Sequence, residues 1–207
     1  RADVRKEQVG DIGKIFLHID VSGSMEMSLE VAKEKGAIIA EVVKNPQENF
    51  MWGLFNTGGE LLPIPKTFEA DAFKAILFGR TAGGGTDAFQ LYPAAREFGA
   101  TVDVFVSDLA HNTGPLAARI EAYHRENPSR VKPKACVIIR VPGESGDALK
   151  TEYEVAGIPV SVMTPEALSG SALVAQSIKS ALVGPVQIIN DIMSCDLLKY
   201  PRWYFTV

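Results

Sequence analysis

A carboxylate followed at offsets of two and four by hydroxyls stands in the segment Asp20-Val21-Ser22-Gly23-Ser24. A turn at Gly23 would gather the three side-chain oxygens around one point. Two further oxygen donors occur downstream: Thr86, between the glycine run Gly83-Gly84-Gly85 and Asp87, and Asp108, directly after Ser107. Donors of this kind, few of them charged, suit a hard cation of the Mg²⁺ type, with Mn²⁺ or Ca²⁺ as alternatives. Such an ion keeps several waters and leaves a coordination position for an outside carboxylate or phosphate. Neither Cys nor His belongs to the pattern, which disfavours zinc.

These residues can act together only if the fold brings three distant segments to one place. Short apolar, β-branched runs at 15–19, 50–55, 102–106, 135–139 and 160–163 read as buried parallel strands. Helical patterns at 27–43, 70–77, 88–98, 115–124 and 172–182 supply the crossovers and the last element. The expected fold is α/β and Rossmann-like: three layers, a mostly parallel sheet and helices on both faces. In such sheets ligands bind beyond the carboxyl ends of the strands, and Asp20 and Asp108 follow two of them. The glycine loop leads into a helix for which Thr86 or Asp87 is the natural N-cap, so it can carry a hydroxyl to the same rim. One connection is too short for a crossover. The run 50–55 is followed by Asn56-Thr57-Gly58-Gly59 and then Glu60-Leu61-Leu62-Pro63-Ile64, a hairpin whose Pro63 places the second strand at the sheet edge, antiparallel to its neighbour.

Rival chemistries fail on specific residues. Asp20 at the end of a first strand resembles a phosphoaspartyl nucleophile, but Asp-x-Asp phosphatases need a second carboxylate where Ser22 stands. The glycine loop lacks the Gly-Lys-Ser/Thr ending of a P-loop, and Ser22 is not in a Gly-x-Ser-x-Gly elbow. No catalytic residue is therefore assigned. His18 lies inside the first strand and reads as a satisfied core residue. His111 and Asn112 fall at the rim of the site. His124 sits on a helix in a locally basic stretch with Arg119, Arg125, Arg130, Lys132 and Lys134, either a phosphate-facing patch or a solvated face.

The formal net charge of −4 over 207 residues gives no overall basic field for a polyanion. With 46% apolar residues the chain can bury a core without staples, and its two cysteines, Cys136 and Cys195, have no zinc or disulfide spacing, which fits a reducing compartment and a cytoplasmic protein. No run approaches ~20 apolar residues, and the N-terminus has no signal-peptide core. The expected division is a lead-in at 1–13, one domain at 14–184 and a C-terminal extension at 185–207 that packs on the domain or on a partner.

Asp-x-Ser-x-Ser, then Thr-Asp after glycines, then Ser-Asp at a strand end resembles the metal-ion-dependent adhesion site of the von Willebrand factor A (VWA) family. The resemblance covers about residues 14–183. It implies Asp20, Ser22, Ser24, Thr86 and Asp108 as metal ligands, an acidic group of a partner as the last ligand, and Gly23, Asp87, His111 and Asn112 as the surrounding shell. Within the family, the stretch from Asp108 through Leu-Ala-Ala-Arg-Ile-Glu-Ala-Tyr-His (116–124) to Lys134-Ala-Cys-Val-Ile-Ile is similar to the C-terminal domain of Ro-type ribonucleoproteins. It departs from them at Leu109, where the Ro pattern has Asn. That likeness implies a binding module within an RNA-binding parent. The alternative is a scaffold partner of a metal-insertion or chaperone ATPase, with no RNA role.

Overall fold

A computed structural model describes residues 12–23, 25–143, 146–167, 174–176 and 178. The run Ile-Phe-Leu-His-Ile-Asp offers no solvated face, and it forms β1 (Ile15–Asp20), buried at every position. It pairs with β2 (Phe50–Phe55) on one side and β4 (Val102–Ser107) on the other, both parallel. β5 (Ala135–Arg140) and β6 (Val160–Met163) extend the parallel run. The short β3 (Gly59–Leu61) adds an antiparallel edge to β2, for the order β3-β2-β1-β4-β5-β6.

Alternate side chains of the central strands enter different cores. Ile15, Leu17 and Ile19 meet Val102, Val104 and Val106 on one face, covered by α1 (Glu26–Ala40) and α3 (Ala70–Leu77); the one-turn α2 (Pro46–Asn49) lies between α1 and β2. Phe16, Phe105, Cys136 and Ile138 face the other way, beneath α4 (Tyr92–Phe98), α5 (Leu116–Glu126) and α6 (Ala148–Val155). This is the three-layer arrangement expected from the strand and helix periodicities.

The second face also buries charge. Arg96 and Asp103 form an ion pair with both side chains shielded from solvent, and Tyr153 donates its hydroxyl to the same carboxylate at 3.3 Å. Burial alone would push Asp103 up, but Arg96 and the His18 and Tyr153 contacts hold it below the usual carboxylate value. His18 stacks on Phe105 with ring centroids 4.2 Å apart and its Nε2 lies 3.5 Å from Asp103 Oδ1. It is a core residue as expected, but not a satisfied one: among the described residues neither ring nitrogen has a hydrogen-bond partner.

Four local expectations need correction. The β3 ladder stops before Pro63, which contributes instead a carbonyl that accepts from Trp52 Nε1 at 2.9 Å. The first long helix ends at Ala40, three residues early. α4 begins at Tyr92 rather than 88, because Asp87 Oδ1 accepts the Phe89 amide at 3.1 Å and starts a run of turns; neither Thr86 nor Asp87 caps that helix. α6 was not anticipated, although Leu149 and Tyr153 bury at helical spacing. The helix expected at 172–182 lies mostly outside the described residues, of which Val174, Ala175 and Ile178 are buried in the first core. The extension at 185–207 lies outside them altogether.

Candidate functional site

Parallel pairing puts the carboxyl ends of β1 and β4 side by side, with Ile19 opposite Val106. The next residues are Asp20 and Ser107, and they touch: Ser107 donates its hydroxyl to Asp20 Oδ2 at 2.8 Å. Asp20 Oδ1 accepts the Ser22 amide at 2.9 Å, which folds the first loop back over the strand end. The chain after β4 then turns sharply through Leu109, at φ +74°, a conformation that costs a branched residue about 1–3 kcal/mol. Ser107 Oγ accepts the Leu109 amide, Leu109 O accepts the Leu149 amide, and the Leu109 side chain is buried, so three interactions hold the turn.

The glycine loop is fastened to the first loop by two main-chain hydrogen bonds, Gly23 N to Gly84 O at 2.9 Å and Gly83 N to Val21 O at 2.7 Å. Gly84 takes φ +85°, where only glycine is at ease. Thr86, two residues on, is tied to the loop after β4: its amide donates to Asn112 Oδ1 at 3.0 Å, and its carbonyl accepts the Asn112 amide at 3.2 Å. From the end of β2, Asn56 donates to Gly83 O at 2.8 Å and accepts the Asp87 amide at 2.9 Å. Three loops therefore meet at one rim. Asp20, Ser22, Thr86 and Asp108 are each no more than 5% exposed. Ser24 lies outside the described residues.

The surrounding residues divide into distinct roles. Asp87 turns away to Arg119 at 2.7 Å and to Gln90 at 2.8 Å. Although desolvation works against it, these contacts hold its carboxyl below the usual range. His111 braces its own loop, with Nε2 at 2.8 Å from Gly114 O and Nδ1 accepting the Ala88 amide at 3.4 Å. Four contributors were missed in the sequence: Ser107, Asn56, Arg119 and Gly143. Ser107 and Asn56 are polar residues at strand carboxyl ends, the signal that had picked out Asp20. Gly143 had none; its backbone lies so close to Asp108 and Met25 that a Cβ would overlap the Asp108 carboxylate.

Burial pushes the Asp20 carboxyl above its usual value; hydrogen bonds from Ser22 and Ser107 oppose this, and the charge of Asp108 adds to it. Both groups holding the Asp20 carboxylate in hydrogen bonds are neutral, so its charge in a dry setting lacks a compensating cation from them. Among the described residues no group of three or more His, Cys, Asp or Glu could hold a metal ion. The donors here are instead two carboxylates and hydroxyls, a set that fits a hard cation of the Mg²⁺ class and not zinc.

Sheet order and layers are those of the doubly wound α/β fold of VWA domains. Solved structures share it, among them the following two. The SpRpn10 VWA domain aligns with a TM-score of 0.53 at 18% identity, over 80% of this chain and 95% of that one. An aerotolerance-related membrane protein from Bacteroides fragilis NCTC 9343, carrying multiple mutations to serines, aligns with a TM-score of 0.52 at 13% identity, over 82% of this chain and 98% of that one. At these identities the likeness is one of fold. No protein-family model and no curated protein matches the sequence.

Proposed function

We propose that this domain is a non-catalytic, metal-dependent binding module. Asp20, Ser22, Thr86 and Asp108, with Ser24 from the same sequence motif, hold Mg²⁺, and a protein partner supplies an acidic side chain as the remaining ligand. Mn²⁺ and Ca²⁺ are the alternative ions. The observation that carries this reading is the buried Asp20 carboxylate, held by neutral donors beside the like charge of Asp108, at a rim where three fastened loops converge. A divalent cation would relieve that repulsion and leave a vacant position for an anion. The VWA fold supports a role in protein interaction, and the sequence likeness to Ro-type proteins supports a cytoplasmic, RNA-handling parent. Among the described residues no helix is long and apolar enough to cross a membrane.

Calorimetric titration with MgCl₂ tests the site. The intact chain should give a saturable heat and Asp20→Ala none, with circular dichroism showing that the variant folds. Equal heats from both would remove the metal from the proposal. Capture of partners with and without EDTA then tests the second half: retention of the same acidic partner in chelator would mean that the ion does not carry the contact.

A further inference from the structure

A second site lies at the other end of the sheet. A cavity of about 330 Å³ opens beneath the starts of β4 and β5, lined by Arg96, Thr101, Ser129, Arg130, Lys132 and Lys134. Thr101 and Lys134 directly precede those strands, whereas Asp20 and Asp108 follow strand ends, and a six-residue strand spans about 20 Å. The cavity is thus separate from the candidate metal centre. The basic stretch noted in the sequence is sorted by the fold: Arg119 goes to Asp87 at the metal rim, while Arg130, Lys132 and Lys134 gather here.

Charge in the cavity is only partly compensated. Lys132 pairs with Glu121, and Arg96 pairs with the buried Asp103. Among the described residues Arg130 and Lys134 have no ion pair; Arg130 Nη1 reaches only the Glu97 carbonyl, at 3.5 Å. Arg96 also lines the cavity, but its side chain is fully shielded and is held by Asp103 and the Ala100 carbonyl, so it forms the floor and adds positive charge from below rather than a direct contact. Nearby amides are already used, Gly99 N by Arg96 O and Ala100 N by Ala95 O, so a ligand would be held by side chains.

We infer that this cavity binds the phosphate group of a phosphate monoester, with Arg130 and Lys134 as the charge-bearing contacts and Arg96 at its base. Two uncompensated cations match a phosphate dianion, and guanidinium forks suit phosphate oxygens. The volume sits at the low end of small-ligand sites, enough for one phosphate and a small attached group. Exposed Val131 at the lining gives that group an apolar contact. A nucleic acid backbone fits less well, since one cavity takes one phosphate and the chain as a whole is acidic.

The test is an NMR titration of the full chain in EDTA at fixed ionic strength, with O-phosphoserine, inorganic phosphate, unphosphorylated serine and a single-stranded RNA lacking terminal phosphates as separate probes. O-phosphoserine should saturate with a Kd of about 0.1–1 mM and move the amides of 99–101 and 129–134. Serine should not bind. Tighter binding of O-phosphoserine than of phosphate would support a phosphorylated side chain as the source; equal binding would support free phosphate. Arg130→Glu and Lys134→Glu, both at exposed positions, should each weaken binding about tenfold or more. Asp20→Ala should leave it unchanged, which separates this site's failure from that of the metal centre. The inference is overturned by an absence of saturable shifts, by RNA binding more tightly than O-phosphoserine, or by undiminished affinity in the charge-reversed variants.

Discussion

Asn112 shows how much of the candidate site depends on residues that need not touch an ion. It holds Thr86 from both sides of the peptide, and only the side-chain bond can be deleted by substitution. Asn112→Ala should cost about 1–3 kcal/mol, since the Thr86 amide loses its acceptor, and Mg²⁺ affinity should fall about 10–100-fold as the hydroxyl loosens. Urea denaturation and calorimetry read the two effects separately. A loss of stability with unchanged Mg²⁺ affinity would mean that Thr86 is not held for a metal. Asp103 belongs to the same scale but to the opposite end of the sheet. Its folded-state pKa lies below the usual 3.8, so between those two values the unfolded chain binds the extra proton. The stability it contributes is present above 3.8 and lost as pH falls through the folded value. Unfolding free energy measured from pH 5 downward should decline, with a shallower slope in Asp103→Asn; identical slopes would place the acid sensitivity elsewhere. Breaking the pair from the other side, with Arg96→Met, should cost about 3–5 kcal/mol, because it strands a buried carboxylate.

At the scale of elements, the α1–α3 crossing carries a test in which two rules oppose each other. Gly36 lies inside α1, where alanine is favoured by up to about 1 kcal/mol. Yet a Cβ there would come within 2.5 Å of Phe73 Cδ1, and that ring is packed against Phe50, Trp52 and Phe68. Overpacking costs about 1–3 kcal/mol, so Gly36→Ala should lower the thermal midpoint; a rise would mean that the ring moves easily. The same contest explains which elements were legible in the sequence. Strands were, because Ile15–Asp20 and Val102–Ser107 are short runs dominated by apolar and β-branched residues. The short α6 was not, because Leu149 and Tyr153 make too brief a stripe to stand out from the charges between them. The cap at 86–87 was misjudged because Asp87 prefers a local turn and Arg119, and that preference depends on a helix distant in sequence. Asp20 and Asp108 were readable as candidates from their places after strands and Thr86 from the glycine run before it, whereas Gly143 acts only through backbone proximity, which leaves no mark in a sequence.

For the molecule as a whole, a metal that binds only the folded state should stabilise it by mass action. At a hundredfold excess over Kd the gain is about 2.7 kcal/mol, or about 5–10 °C in the thermal midpoint for a chain of this length. Scanning calorimetry with MgCl₂, then EDTA, should show the shift and its reversal; a midpoint indifferent to both would argue against an ion at the rim. The two proposed sites sit at opposite poles of one sheet, so the domain could engage an acidic partner at one end and a phosphate at the other without competition between them.

Among the described residues, β3, with three residues, and β6, with four, border the sheet. Borders so short give an arriving β-strand little to zip onto, which discourages amyloid-like stacking of copies. Recruitment by strand addition at these borders is discouraged for the same reason, which under the two proposals leaves selection among visitors to the loops at the two poles.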